Sequence, residues 1–308
     1  MPNLEKITYP CSIDNSMQPA FCMPATGTSP RPLLVALHTW SCGCDTGVNV
    51  YDGLCRQRNW HLIYPEFRGP NKKTAACGSD LVVADIADAA IYMQRHFAVD
   101  SSRIYLCGGS GGGHATLLVA GRRPEIWTAA SAWCPISDVA AWHRECVNTR
   151  FQGYAEHIEL SCGGSPLNDA AARQEAVKRS PLTYFQNGCS VPLDISTGVH
   201  DGHTGSVPVS HAINAYNLLA DPADRIAQED IEYIVSNERV PEHLLWASED
   251  PAFDKYKVYL RKQSKLVRLS LFEGGHDLLK WAAFDWLGRQ QKGQVPDWGI
   301  GMPWPEEP

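Results

Sequence analysis

The run Gly108-Gly109-Ser110-Gly111-Gly112 has the composition of a turn that presents a nucleophile. A serine flanked on both sides by glycine can take a strained conformation, with an apolar run before it and a helix-like segment after it. Its hydroxyl then stands clear above a sheet, and the helix N-terminus beneath favours developing negative charge. A serine hydroxyl is inert without a base. Of the eleven histidines, His276 in Glu273-Gly274-Gly275-His276 follows the last strand-like run and precedes the last helical one, which suits a base. His114 is the nearer rival, but it sits on the helix that follows the turn, where its ring packs or points along the axis. Asp201 leaves a strand-like run between the two and is the expected acid, orienting the imidazole and stabilising its charge. Asp250 competes from a less regular stretch, and Asp277 faces the wrong way for a partner of its neighbour His276. The amide of Gly111 is one expected oxyanion donor, and that of Trp40 or Thr39, after an early buried run, is the second. This is the chemistry of acyl transfer.

Elements must bring these residues to one edge. Residues 32–37 and 60–64 are short continuous apolar runs, the mark of strands buried on both faces. Residues 4–24 read as a strand pair around the turn residues Asp14, Asn15 and Ser16. Further strands are expected over 103–107, 126–133, 191–197 and 267–272. Helical spacing occupies 48–59, then 80–97 behind a Ser79 or Asp80 cap with Asp85 and Asp88 facing away. It recurs over 112–120 (stopped by Gly121), 209–219 and 278–289. Alternating strands and helices predict an α/β fold: a mainly parallel sheet flanked by helices, with active residues at the C-terminal edge. Residues 138–190 interrupt the rhythm as a lid-like insertion and 221–262 as a polar, helical rim insertion. Both belong to one domain spanning 1–308, and the tail 295–308 reads as an irregular arm.

Bulk properties narrow the function classes. The 308 residues are 44% hydrophobic and 20% charged, ordinary for a globular protein. The formal net charge of −7 and the absence of a long basic cluster argue against a nucleic-acid partner. No apolar run reaches the ~18 residues of a membrane span, so no membrane partner is expected. The start, Met1-Pro2-Asn3-Leu4-Glu5, lacks the layout of a signal peptide. The expectation is a cytoplasmic protein, or a secreted or periplasmic one whose signal has been removed. The eleven cysteines include no CxxC pair, which argues against zinc-ribbon and thioredoxin readings. Cys107 and Cys134 fall in apolar runs and read as buried thiols. Cys42, Cys44, Cys77, Cys146, Cys162 and Cys189 fall in expected loops, where a disulfide among them is an open alternative. His200 and His203 flank Asp201, but no complete ligand set occurs at short spacing, so neither metal nor organic cofactor is expected.

With these motifs in place, the sequence resembles the α/β-hydrolase superfamily. The Ser110 turn, the run Leu33-Leu34-Val35-Ala36-Leu37-His38, the stretch Gly198-Val199-His200-Asp201 and the Gly274-Gly275-His276 motif occur in that superfamily's order. Over about residues 30–290 it is most similar to the prolyl-oligopeptidase-like (S9) group and its esterase relatives. One departure is Thr39, where relatives usually carry glycine. The resemblance implies a serine hydrolase working through an acyl-enzyme. The length leaves no room for the propeller domain of prolyl oligopeptidases, which favours an esterase.

The leading expectation is hydrolysis of a small-molecule or glycan ester, with an acetyl, feruloyl or uronate group. Arg68, Glu66, Trp142, His143 and His203 are the candidate substrate contacts, tryptophan for a sugar or aromatic face and Arg68 for a carboxylate. The alternatives are an aminopeptidase or acyl-peptidase, for which Glu66 and Glu145 could meet a free amine, and a non-catalytic binding member of the fold. The sequence leaves the oligomeric state open.

Overall fold

The structure, a computed structural model, describes residues 3–46 and 50–303. A hairpin opens it. Strands β1 (Glu5–Pro10) and β2 (Met17–Met23) pair antiparallel. At their turn Asn15 takes a left-handed φ of 57°, and the Ser16 amide and hydroxyl both donate to Asp14 Oδ1. The chain continues through β3 (Arg31–Leu37), α1 (Asp52–Arg58), β4 (His61–Pro65), α2 (Asp80–His96), β5 (Val99–Gly109) and α3 (Gly111–Arg122). Next come β6 (Ala129–Trp133), α4 (Val139–Cys146), α5 (Gln152–Cys162), α6 (Ala170–Lys178), β7 (Leu193–Gly198) and α7 (Ser210–Leu219). The last elements are α8 (Gln228–Asn237), β8 (Val258–Ser264), β9 (Val267–Phe272) and α9 (Lys280–Gly288).

The strands form one nine-stranded sheet in the order β1-β2-β4-β3-β5-β6-β7-β9-β8. From β4 to β9 every neighbouring pair is parallel, and antiparallel strands close both edges. The apolar runs explain the burial. Leu33, Val35 and Leu37 of β3 face a core shared with α2, α3, α7 and α8, while Leu34 and Ala36 face a second core shared with α1 and α9. Each fully buried leucine or valine there contributes roughly 1.5–3 kcal/mol. Helix α2 starts where Ser79 Oγ accepts from the Val82 amide, the expected cap.

Several expectations need correction. Asp85 does not face away from α2. It is fully buried and ion-paired to Arg68, Nε to Oδ2 at 2.6 Å. Helix α3 runs through Gly121 to Arg122, because a glycine costs a helix only ~1 kcal/mol and the space beside it is filled by Phe185 and Tyr184. Residues 221–262 contain α8 but also most of β8, whose alternating exposure places it on the antiparallel edge. Val48 and Asn49, at the start of the helical spacing over 48–59, lie outside the described residues, and α1 begins at Asp52. All eleven cysteines are free thiols. Cys146 and Cys162 lie in α4 and α5 instead of loops, and with Cys77 they pack into one apolar cluster. The C-terminal arm is anchored within its described part, with Trp298 stacked on Trp286 at 5.4 Å. Among the described residues no helix is long and apolar enough to cross a membrane.

Candidate active site

Ser110 stands between β5 and α3 at φ 58°, ψ −121°, a conformation that costs a non-glycine residue about 1–3 kcal/mol. The turn is held by the Ser110 amide donating to the Trp133 carbonyl at 2.8 Å and by His114 N donating to the Ser110 carbonyl at 2.9 Å. Asp201 follows β7 and His276 follows β9, so three parallel strands deliver the three residues to one edge. His276 Nδ1 lies 2.8 Å from Asp201 Oδ2. Asp201 is fixed from four directions. The Gly202 and Val207 amides donate to Oδ1, and the Thr197 hydroxyl joins His276 at Oδ2. Gly205 lets its loop close over this pair, since a Cβ there would sit 2.2 Å from Asp201 Oδ1 and 2.5 Å from His276 Cβ.

Ser110 and His276 line one cavity of about 280 Å³. Among the described residues no hydrogen bond joins them, a contact that in ligand-free enzymes commonly tightens on substrate binding. The rivals are committed elsewhere. His114 is buried and its Nε2 contacts the Arg179 carbonyl at 2.7 Å, with burial pushing its pKa down to about 4. Asp250 pairs with Arg261, and Asp277 accepts from the Gly275 amide.

The expected oxyanion donors meet. A Cβ on Gly111 would lie 2.4 Å from the Trp40 amide nitrogen, so only glycine permits this approach. Among the described residues no backbone carbonyl accepts from either amide. Thr39 lines the cavity, and its hydroxyl contacts Cys42 Sγ at 3.5 Å. His38 holds the loop from behind, its ring nitrogens contacting the Thr39 and Glu66 carbonyls while the ring stacks on Phe67 at 3.8 Å.

The five candidate substrate contacts are not brought to the cavity. Arg68 bridges Asp14 and Asp85, holding the Asp14 carboxyl far below its ordinary range. Glu66 accepts from the Cys44 amide at 2.6 Å and so shapes the adjoining loop. Trp142 is buried edge-on against Trp40 at 4.8 Å and donates to the Ser206 carbonyl. His143 is buried against Glu159, and His203 contacts the Val235 carbonyl. Amphipathic side chains near a catalytic edge are as readily used for tying loops as for binding, and here tying wins. The cavity is lined instead by Ala36, Val50, Tyr51, Tyr64, Cys134 and Leu278. Only Leu278 carried a sequence signal, its position two residues after His276. No residue of 138–190 lines it. Helices α4–α6 pack through Trp142 against the back of the Trp40 loop.

Residues 79–245, more than half of the chain, match the sequence model of the prolyl oligopeptidase family. The chain belongs to this family. Members of the prolyl oligopeptidase family are serine hydrolases. No curated protein matches the sequence. Among solved structures, the chain is similar to the Pyrococcus horikoshii acylaminoacyl peptidase (TM-score 0.63, 13% identity, 96% of this chain and 43% of that one). It is also similar to oligopeptidase B from Leishmania major (0.58, 13%, 92% and 34%). A third likeness is to the acetyl xylan esterase from Paenibacillus sp. R4 (0.57, 17%, 71% and 78%). These likenesses establish the α/β-hydrolase fold. The chain spans roughly two fifths or less of the family peptidases it matches and most of the esterase.

Proposed function

We propose that this family member hydrolyses carboxylic esters through an acyl-enzyme on Ser110, with His276 as base and Asp201 as its partner. The observation that carries this reading is the cavity at Ser110. Its wall is mainly apolar, from Ala36, Val50, Tyr51, Tyr64 and Leu278, and it offers an acyl group an apolar slot beside the nucleophile. The Ser110 oxygen attacks the ester carbonyl while His276 Nε2 takes its proton, and Asp201 steadies the resulting imidazolium. The Gly111 and Trp40 amides hold the oxyanion. His276 then gives its proton to the leaving alcohol, and water repeats the sequence to release the acid.

An apolar slot of this kind favours an acyl group larger and greasier than acetyl, so a feruloyl-type aromatic acid fits better than a uronate. The burial of Trp142 removes the tryptophan face expected for a sugar or aromatic group. The acetyl xylan esterase likeness supports an esterase on this scaffold. An aminopeptidase would need a free carboxylate for the substrate amine, yet Glu66 is bonded to the Cys44 amide and Glu145 to His211. A second reading, an acyl-peptidase, is favoured by the family match and the acylaminoacyl peptidase likeness, because a blocked amine needs no such carboxylate.

The test is a kinetic panel of p-nitrophenyl acetate, butyrate and hexanoate, methyl ferulate, and acyl-aminoacyl anilides. Rising kcat/KM from acetate to the larger acyl groups, with anilides far slower, is the expected result. Anilide turnover exceeding ester turnover would replace the ester reading with the peptidase one.

A further inference from the structure

The thiol of Cys134 occupies an unusual place. It follows β6 at a left-handed φ of 45°, is 2% exposed, and contacts the Asp277 carbonyl at 3.4 Å beneath the loop that carries His276. One donor atom each from Cys134, Asp201 and His276 lie within 4.8 Å of one another. Cys134 and His276 also line the cavity, which gives a small solute a path to the cluster. The three residues come from three different strands, so no spacing in the sequence announces the set.

We infer that Cys134, Asp201 and His276 form an inhibitory site for a soft divalent cation of the zinc or cadmium class. This rests on the reading of Asp201 and His276 as the acid and base. Thiolate, imidazole and carboxylate together suit zinc, and the thiolate biases the set toward cations of this class over magnesium or calcium. A tetrahedral zinc holds its ligand atoms roughly 3–4 Å apart, so side-chain movements of about 1 Å complete the set. The outer support exists already. The Gly202 and Val207 amides hold the Asp201 oxygen that does not contact His276. A fourth position is left for water from the cavity.

The consequence for catalysis follows from the imidazole tautomer. Metal-free, neutral His276 keeps its proton on Nδ1, facing Asp201, and offers the lone pair of Nε2 to the serine. A cation bound at Nδ1 moves that proton to Nε2, and the ring can no longer accept one there. The Cys134 thiol releases its own proton to solvent and Asp201 binds as it stands. One cation therefore enters and one proton leaves. The base is silenced with the fold intact.

The experiment titrates Zn²⁺ and Cd²⁺ into the wild type, Cys134→Ala and Cys134→Ser, with each protein's rate normalised to its own metal-free value. Fluorophosphonate labelling of Ser110, metal equilibrium dialysis and the ultraviolet thiolate-to-cadmium charge-transfer band are followed in parallel. Loss of an outer-shell partner alone weakens metal sites 10–100-fold, so loss of the thiolate should raise the inhibitory concentration at least about tenfold. The wild type should lose labelling with metal, regain it with a chelator, and show a larger charge-transfer band than either variant, each of which keeps ten other thiols. Equal metal sensitivity in wild type and variants, or a cadmium band unchanged in Cys134→Ala, would overturn the site. Should no ester be turned over, dialysis and the cadmium band still decide the metal site, while the proposed hydrolysis alone would fall.

Discussion

At the scale of single residues, Ser110 carries the most specific consequence. Replacing it by alanine should lower turnover by about 10³-fold or more while the melting temperature is kept, because only the reacting oxygen is lost. Adding His276→Ala to that variant should cost almost nothing further, since in the proposed mechanism the two act as one unit. A double variant much slower than Ser110→Ala would separate them. Arg68 makes the opposite prediction. Its guanidinium pairs with Asp85, whose carboxylate is fully buried, and it does not line the Ser110 cavity. Arg68→Ala should destabilise the fold by about 3 kcal/mol or more in urea titration, with kcat/KM of the folded fraction unchanged. A specific loss of activity at unchanged stability would return Arg68 to the substrate site.

At the scale of elements, the first turn of α3 and the loop after β3 are proposed to function as a pair. Gly111 has no side chain, so the Trp40 amide can approach its Cα. Gly111→Ala should push the loop aside and cost about 10²-fold in kcat, the range for loss of an oxyanion donor, with a much smaller effect on KM. Stopped-flow and steady-state assays across the ester panel would check this, and a pure KM effect would deny the amides their role. Helices α4–α6 contribute to the site indirectly. Through Trp142 they back the Trp40 loop, so disturbing them should alter oxyanion geometry more than substrate preference.

At the scale of the whole molecule, the site depends on loops from separate strands staying in register. His200, next to Asp201, contacts Glu238 and Glu273, and Glu273 begins the loop that ends in His276. Burial is the largest single influence on the His200 pKa and lowers it, but the hydrogen bonds and charge attraction to the two carboxylates together outweigh it and raise the pKa. A raised histidine pKa gives stability that is fully present below the ordinary value of 6.5 and lost as pH climbs through the folded value. Glu273, lowered chiefly by the Tyr259 hydroxyl, adds stability above its ordinary 4.5 that is lost on acidification. The strap should be strongest between these limits. The melting-temperature gap between wild type and His200→Gln should be larger at about pH 6 than at about pH 9. A gap that does not change with pH would leave the imidazole charge without a part in holding the loops.

The sequence by itself determined which residues are proposed for the chemistry and in what order. Glycines around Ser110, a late Gly-Gly-His276 and Asp201 at a strand exit are local patterns, because strained turns and strand ends demand particular residue types in short windows. The parallel sheet was legible for the same reason, since buried strands must be continuously apolar. β8 was not, because an edge strand with one wet face reads as polar. The cavity wall and the thiol beside the Asp201–His276 pair were decided only by tertiary structure. Tyr51, Tyr64 and Cys134 come from separate elements, and each alone looks like ordinary core. The expected binders Arg68, Trp142 and His143 carried suitable chemistry, but a side chain's partner is chosen by what the fold packs against it. For these three it packed Asp85, Trp40 and Glu159.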